Sequence, residues 1–175
     1  MTTPVGEIPT WALSLTYWLH MLATVVWIGG LAALVLFVLP TARGNLDVNA
    51  YASLLEKVQR RLDPLGWLSL IVLAGTGLFQ MSANPNYQGF LSITNRWSTA
   101  ILAKHLVFIS MTGISAYLTW GVMPAMQRMA FLRAKGKETP NAEGLQRREV
   151  RLLRLNLILG IIVLGLTAVA RASNN

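Results

Sequence analysis

His20 and His105 are the only histidines in a chain of 175 residues, and each lies inside a long apolar segment. An ionisable group in hydrocarbon costs on the order of a few kcal/mol, so an imidazole there marks a functional site by default. The neutral ring offers a nitrogen lone pair to a transition metal. Two rings at one depth suit one shared ligand. They would clasp a haem b iron from opposite faces, as facing helices commonly hold bundle cofactors, or they would hold copper. The plainer alternative is that each ring hydrogen-bonds a neighbouring helix and does nothing further. The chain has no cysteine, which removes disulfides, thiolate metal sites, cysteine-ligated iron-sulfur clusters and covalent c-type haem attachment.

The neighbours of the two rings add detail. From His20, the residues Thr24, Trp27 and Leu31 follow one helical stripe; from His105, the residues Phe108, Thr112, Ser115 and Thr119 follow another. Gly29, Gly30 and Gly113 relieve crowding where a macrocycle nears the backbone, although close helix packing is the commoner use of glycine. Arg96 and Lys104 supply counter-charges for haem propionates. Lys104 adjoins His105 and is turned from it by about 100°. Its stem can instead snorkel to the headgroups, or its ammonium can serve proton movement. The candidate cofactor site is therefore His20, Thr24, Trp27, Gly30, Arg96, Lys104, His105 and Thr112, with His20 and His105 as metal ligands. For copper, Met21 and Met111 can add a thioether. Met123, Met126 and Met129 form an M-x-x-M-x-x-M run far from the histidine level, a spacing that more often serves packing.

Long apolar helices must carry these residues. The chain is 54% hydrophobic and 13% charged, with a mean hydropathy of +0.49, and its apolar residues fall in blocks. Four blocks, approximately 13–39, 64–81, 97–123 and 152–170, approach or exceed the ~20 residues that cross ~30 Å of hydrocarbon. Backbone groups in lipid must be satisfied within each segment, so the predicted fold is an all-α, integral membrane four-helix bundle in a single domain spanning residues 1–175. Pro40 ends the first block, and Asp63 caps the second with Pro64 in its first turn. The first block lacks the basic flank and cleavage site of a removed signal peptide. Neither an internal repeat nor a low-complexity tract is evident.

Charge sets the expected orientation. Arg43, Lys57, Arg60 and Arg61 precede the second block, and Arg128, Arg133, Lys135, Lys137, Arg147, Arg148, Arg151 and Arg154 surround the third connection. The positive-inside rule places these in the cytoplasm and both termini outside, in a cell inner (plasma) membrane. Both histidines then lie about two turns into the outer half. The net charge of +8 is mostly this topology signal, and anionic headgroups suit it better than nucleic acid, since interleaved aromatics are missing. Trp11, Tyr17, Trp18 and Trp97 form an expected outer aromatic belt, and Trp67, Tyr117 and Trp120 an inner one. Val48, Tyr51, Leu54, Leu55, Val58 and Leu62 make one face of an amphipathic helix at approximately 47–62, lying on the membrane surface or leading into the second span. Ala134 to Gly144 reads as a mobile cytoplasmic loop broken by Pro140 and Asn141.

The run from Trp18 through His20, Trp27 and Gly29 to Gly30 resembles the LH-aliphatic-WxGG helix of copper-resistance D (CopD) membrane proteins. Arg61, Pro64, Gly75-Thr76-Gly77-Leu78, Trp97 and Lys104 resemble the pattern of the next two CopD helices. The likeness covers roughly residues 13 to 125 and implies copper uptake or tolerance. The chain is also similar to HemJ-type protoporphyrinogen oxidases, short four-helix proteins with an intramembrane histidine and lysine, positions matched by His20 and Lys104. That likeness implies haem association and porphyrinogen oxidation.

The leading expectation is a bis-histidine haem protein that transfers electrons or serves a larger membrane redox complex. Copper binding or transport is the alternative, followed by the HemJ-type enzyme, an accessory subunit or a homo-oligomer. The acids Glu7, Asp47, Glu56, Asp63, Glu138, Glu143 and Glu149 fall outside the expected spans, so no paired intramembrane carboxylates support independent catalysis.

Overall fold

A computed structural model of the chain describes residues 9–46, 48–136 and 142–173, with the side chains at 48, 49, 134, 142 and 143 left aside. The described residues are helical apart from short connections. Helix α1, Thr10–Ala33, runs through a π-helical turn, Leu34–Val38, into α2, Leu39–Asn45. Helix α3 is Val48–Ser82. Helix α4, Arg96–Tyr117, runs through a second π turn, Leu118–Val122, into α5, Met123–Ala134, and α6 is Ala142–Ala172. Four of the resulting rods are long and apolar enough to cross a membrane: Thr10–Asn45, Ala50–Ser82, Arg96–Arg133 and Gly144–Ala172. The protein is an all-helical, multi-pass integral membrane protein whose surroundings are a lipid bilayer.

Pro40 and Pro124 do not end their helices. Each follows a π turn by two residues. A proline inside a helix removes one N–H donor and drives its ring against the carbonyl four residues back. The wider π turn leaves a slack place in the hydrogen-bond ladder just ahead of the ring. The two rods therefore share one backbone design that the side chains do not announce. His20 lies fourteen residues before the first π turn and Lys104 fourteen before the second. The repeated backbone thus sets Lys104, not His105, in the place equivalent to His20.

Asp63 and Pro64 do not start a helix either. They lie within the continuous α3, and Asp63 accepts a hydrogen bond from Thr119 across the bundle. The amphipathic stretch leads directly into the second span, with Tyr51 and Leu55 buried against Leu34, Val35, Leu39, Val150 and Leu153. The side chains of Val48 and Asn49, and residues Lys137 to Asn141 of the third connection, lie outside the described residues.

The helices run up and down. His20 meets Thr76 and Thr16 meets Gln80 between α1 and α3, while Ser115 meets Asn156 between α4 and α6. Helix α1 packs chiefly on α3, and α4 chiefly on α6. Asn95 caps α4: its side chain accepts from the Ser98 amide at 2.7 Å, and the Ser98 hydroxyl accepts from the Asn95 amide at 3.2 Å. Trp11 and Trp18 are exposed as a lipid-facing belt requires, but Trp97 is only 6% exposed and packs on Met81, Ala100 and Ala170. At the other end Trp67 and Trp120 stack with centroids 5.0 Å apart.

Candidate functional site

The bundle holds two polar regions separated by an apolar layer. The first surrounds His20. Thr76 donates its hydroxyl proton to the Val72 carbonyl at 2.6 Å, so toward His20 it can only accept. The ring therefore donates from Nδ1, 2.8 Å away. That bond fixes the tautomer and leaves the Nε2 lone pair available, the arrangement seen at metal-ligating histidines whose second nitrogen is anchored. Gly77 admits the ring: a Cβ there would stand 3.5 Å from His20 Cε1. The Lys104 ammonium is near enough to act on His20 electrostatically, and Arg171 acts on Lys104 in turn. Arg171 also lies over the Tyr17 ring, 5.6 Å from its centroid.

His105 has different surroundings. Its Nδ1 donates to the carbonyl of Ile101 in its own helix at 2.7 Å, and its ring meets Phe90 edge-on at 5.2 Å. His20 is turned to α3 and His105 to the connection before α4. The two rings thus have different partners, and these contacts do not support an iron clasped between them. Among the described residues, no group of three or more His, Asp or Glu side chains is gathered for a metal ion.

The remaining expected site residues are dispersed. The Thr24 hydroxyl donates to the His20 carbonyl, and that of Thr112 to the Phe108 carbonyl, so both bond back to their own helices. Arg96 is exposed at the start of α4. Trp27 and Gly30 line a cavity toward the arginine-rich end, and Gly30 is ten residues from His20, about 15 Å along a helix. Met21 is exposed, whereas Met111 is 0% exposed and packs beside Ile28 against Gly160.

Below His20 lies the apolar layer. Ala23, Trp27, Leu70, Leu73, Met111 and Val163 form it, with Phe108 meeting Trp27 edge-on at 6.0 Å. Beyond it is a cavity of about 130 Å³ whose wall includes Gln59, Asp63, Ser115, Thr119, Met123 and Asn156. These polar residues form cross-bundle pairs: Thr119 to Asp63, Asn156 Nδ2 to Ser115 Oγ at 3.0 Å, and Gln59 Nε2 to Glu149 Oε1 at 2.5 Å.

Sequence reasoning missed this region because it placed Asp63 and Glu149 outside the spans. Glu149 is 1% exposed. The signal was present: Glu149, Leu153, Asn156, Gly160 and Val163 recur at spacings of three and four, one helical stripe. Gln59, Asp63, Gly66 and Leu70 do the same on α3.

The family model described as copper resistance protein D (CopD) matches residues 56–170. The chain belongs to the CopD family. The match takes in α4, nearly all of α6 and most of α3, and with them Thr76, Lys104, Asp63, Glu149 and Asn156. Helix α1, with His20, precedes it. Among curated proteins and among solved structures, nothing matches the chain significantly. As a CopD protein the chain is a multi-pass membrane protein of a copper-resistance family.

Proposed function

We propose that this CopD protein moves copper across the bilayer, with His20 as the first ligand the ion meets inside the bundle. The observation that carries the proposal is the anchored imidazole, whose Nδ1 is held by Thr76 while Nε2 is left for a metal. The ion is cargo rather than a resident cofactor. Thioethers suit Cu(I), and Met111 in the apolar layer and Met123 in the cavity wall offer sulfur further inward. The arginine-rich end faces the cytoplasm by the positive-inside rule, so His20 opens to the outer side. Membership of a copper-resistance family favours this reading over a bis-histidine haem and the electron transfer it would support.

Lys104 gives the site a transport character. A cation beside a bound cation weakens binding, and conduction requires an ion to be held loosely enough to leave. Lys104→Gln removes that repulsion. It is expected to tighten copper binding at His20 about fivefold, ~1 kcal/mol at an effective dielectric between protein and water, and to slow release. Titration of the purified protein with Cu(I) against a competing chelator measures the first effect. An unchanged or weaker affinity would contradict the role given to the ammonium.

Thr76→Val keeps the side-chain shape and deletes the acceptor for His20 Nδ1. Second-shell partners of metal-ligating histidines are worth roughly 10–100-fold in affinity. The same chelator titration should therefore show copper affinity reduced by about tenfold or more, with helix content by circular dichroism unchanged.

A further inference from the structure

Unmet polar demand gathers at and beside the cavity. Among the described residues, three buried polar atoms lack a hydrogen-bond partner: Asn156 Oδ1 in the cavity wall, and Glu149 Oε2 and the Tyr51 hydroxyl outside that lining. Glu149 is 1%, Asn156 2% and Tyr51 3% exposed. Buried polar groups are paired with protein or with water in nearly all native structures, and orphaned ones call for an occupant. Asn156 lines the cavity directly, and Gln59 in the same wall is bonded to Glu149. At about 30 Å³ per water, 130 Å³ has room for a small cluster of waters. Both π turns reach this chamber through Leu34, Leu118 and Thr119, and π turns inside helices are frequent at functional sites.

We propose that Glu149, joined through Gln59 to the wall of this chamber, is a proton-binding site separate from the His20 region and takes up and releases a proton. The proposal goes beyond the copper reading and does not depend on it. Chamber water supplies the proton to Oε2, converting the carboxylate to the acid and leaving hydroxide to the aqueous phase; the reverse step returns it. Several groups act on the carboxyl. Gln59 of α3 donates to Oε1, and the cation that acts on the carboxyl is Arg43 of α2, which lies 5.9 Å over the Tyr51 ring. Asp63 lies one turn along α3 from Gln59 and is held by Thr119, while α5 contributes the apolar Met126 nearby. Glu149 thus has a neutral donor on Oε1 and a buried Oε2 without a partner, the place where a proton would sit. A ladder of polar pairs, Asn156 with Ser115 and Asp63 with Thr119, carries the hydrated path inward until the layer of Trp27, Phe108 and Met111 closes it.

Infrared difference spectroscopy across a pH step, on the full chain in lipid nanodiscs, tests this. The wild type is expected to show a protonated-carboxyl band that is lost in Glu149→Gln and kept in Glu56→Gln, whose exposed partner is Arg60. Gln59→Leu should shift the frequency of the band, since the carbonyl loses its hydrogen bond, and this readout remains if Glu149→Gln fails to fold. A band that survives Glu149→Gln, a frequency unmoved by Gln59→Leu, or a wild type with no such band would each overturn the proposal. Copper transport is measured separately on the same preparations, so loss of transport with the band intact would count against the copper reading alone.

Discussion

His20→Ala is expected to abolish copper movement, lowering uptake into proteoliposomes by at least about tenfold while the bundle stays folded. The size follows from the chemistry. Loss of a partner that merely orients a metal-bound histidine costs about 10–100-fold, and loss of the ligand itself removes more. Folding should survive because the ring is part-buried and, among the described residues, makes one cross-helix hydrogen bond, to Thr76. Interhelical bonds of this kind contribute only about 0.6 kcal/mol on average in membrane bundles. His105→Ala is the control. Its Nδ1 bond stays within α4, so transport should fall less than about threefold, an effect below ~0.7 kcal/mol. Equal losses in the two variants would return the case for a centre shared by both rings. Uptake is followed by elemental analysis of vesicles after removal of external copper.

Trp27→Ala carries the largest expected effect on stability. The indole is 8% exposed, meets Phe108 edge-on and has its Cδ1 3.8 Å from the Cβ position of Gly66. Truncating a buried tryptophan forfeits its packing and leaves a void, at about 3–5 kcal/mol. Lipid tails do not supply a hydrophobic force between helices, so packing of this kind is much of what holds the bundle together. A fall in the thermal unfolding midpoint in detergent measures the loss. The same change should also open the layer between the two polar regions. Passive proton leak in proteoliposomes is therefore expected to rise, whereas Trp27→Phe, which keeps an aromatic plug, should remain tight. A stable and tight Trp27→Ala protein would show that the layer is not a barrier.

The apolar blocks made the helices legible, because length and hydropathy alone decide whether a segment can cross hydrocarbon. Prolines were misleading. Pro40 and Pro64 read as boundaries from local rules, yet a π turn accommodates the first and the continuous α3 contains the second. The rotation of each helix about its axis was not legible. Depth can be reckoned from charge and rise per residue, but azimuth depends on which partner helix is packed. His20 and His105 read as equal in depth, and their rings meet Thr76 of α3 and Phe90 respectively. The repeated π-proline design gives Lys104 and His20 equivalent places along their rods, a relation hidden because the π turns are not readable from side chains.

The chamber was hidden for another reason. Glu149 adjoins a basic turn containing Arg147, Arg148 and Arg151, so a window of composition assigns it to solvent. Helical phase assigns it to the interior with Leu153 and Asn156. The phase prevails because α6 begins at Ala142, and its apolar stripe must remain against its neighbours from that point onward.

X-ray absorption spectroscopy of the purified protein loaded with Cu(I), in wild type, His20→Ala and His105→Ala, tests the central claim most directly. The expected result is a nitrogen scatterer at about 2.0 Å in wild type and His105→Ala that is missing from His20→Ala. Copper coordination unchanged by His20→Ala, or a preparation that binds haem and no copper, would contradict it.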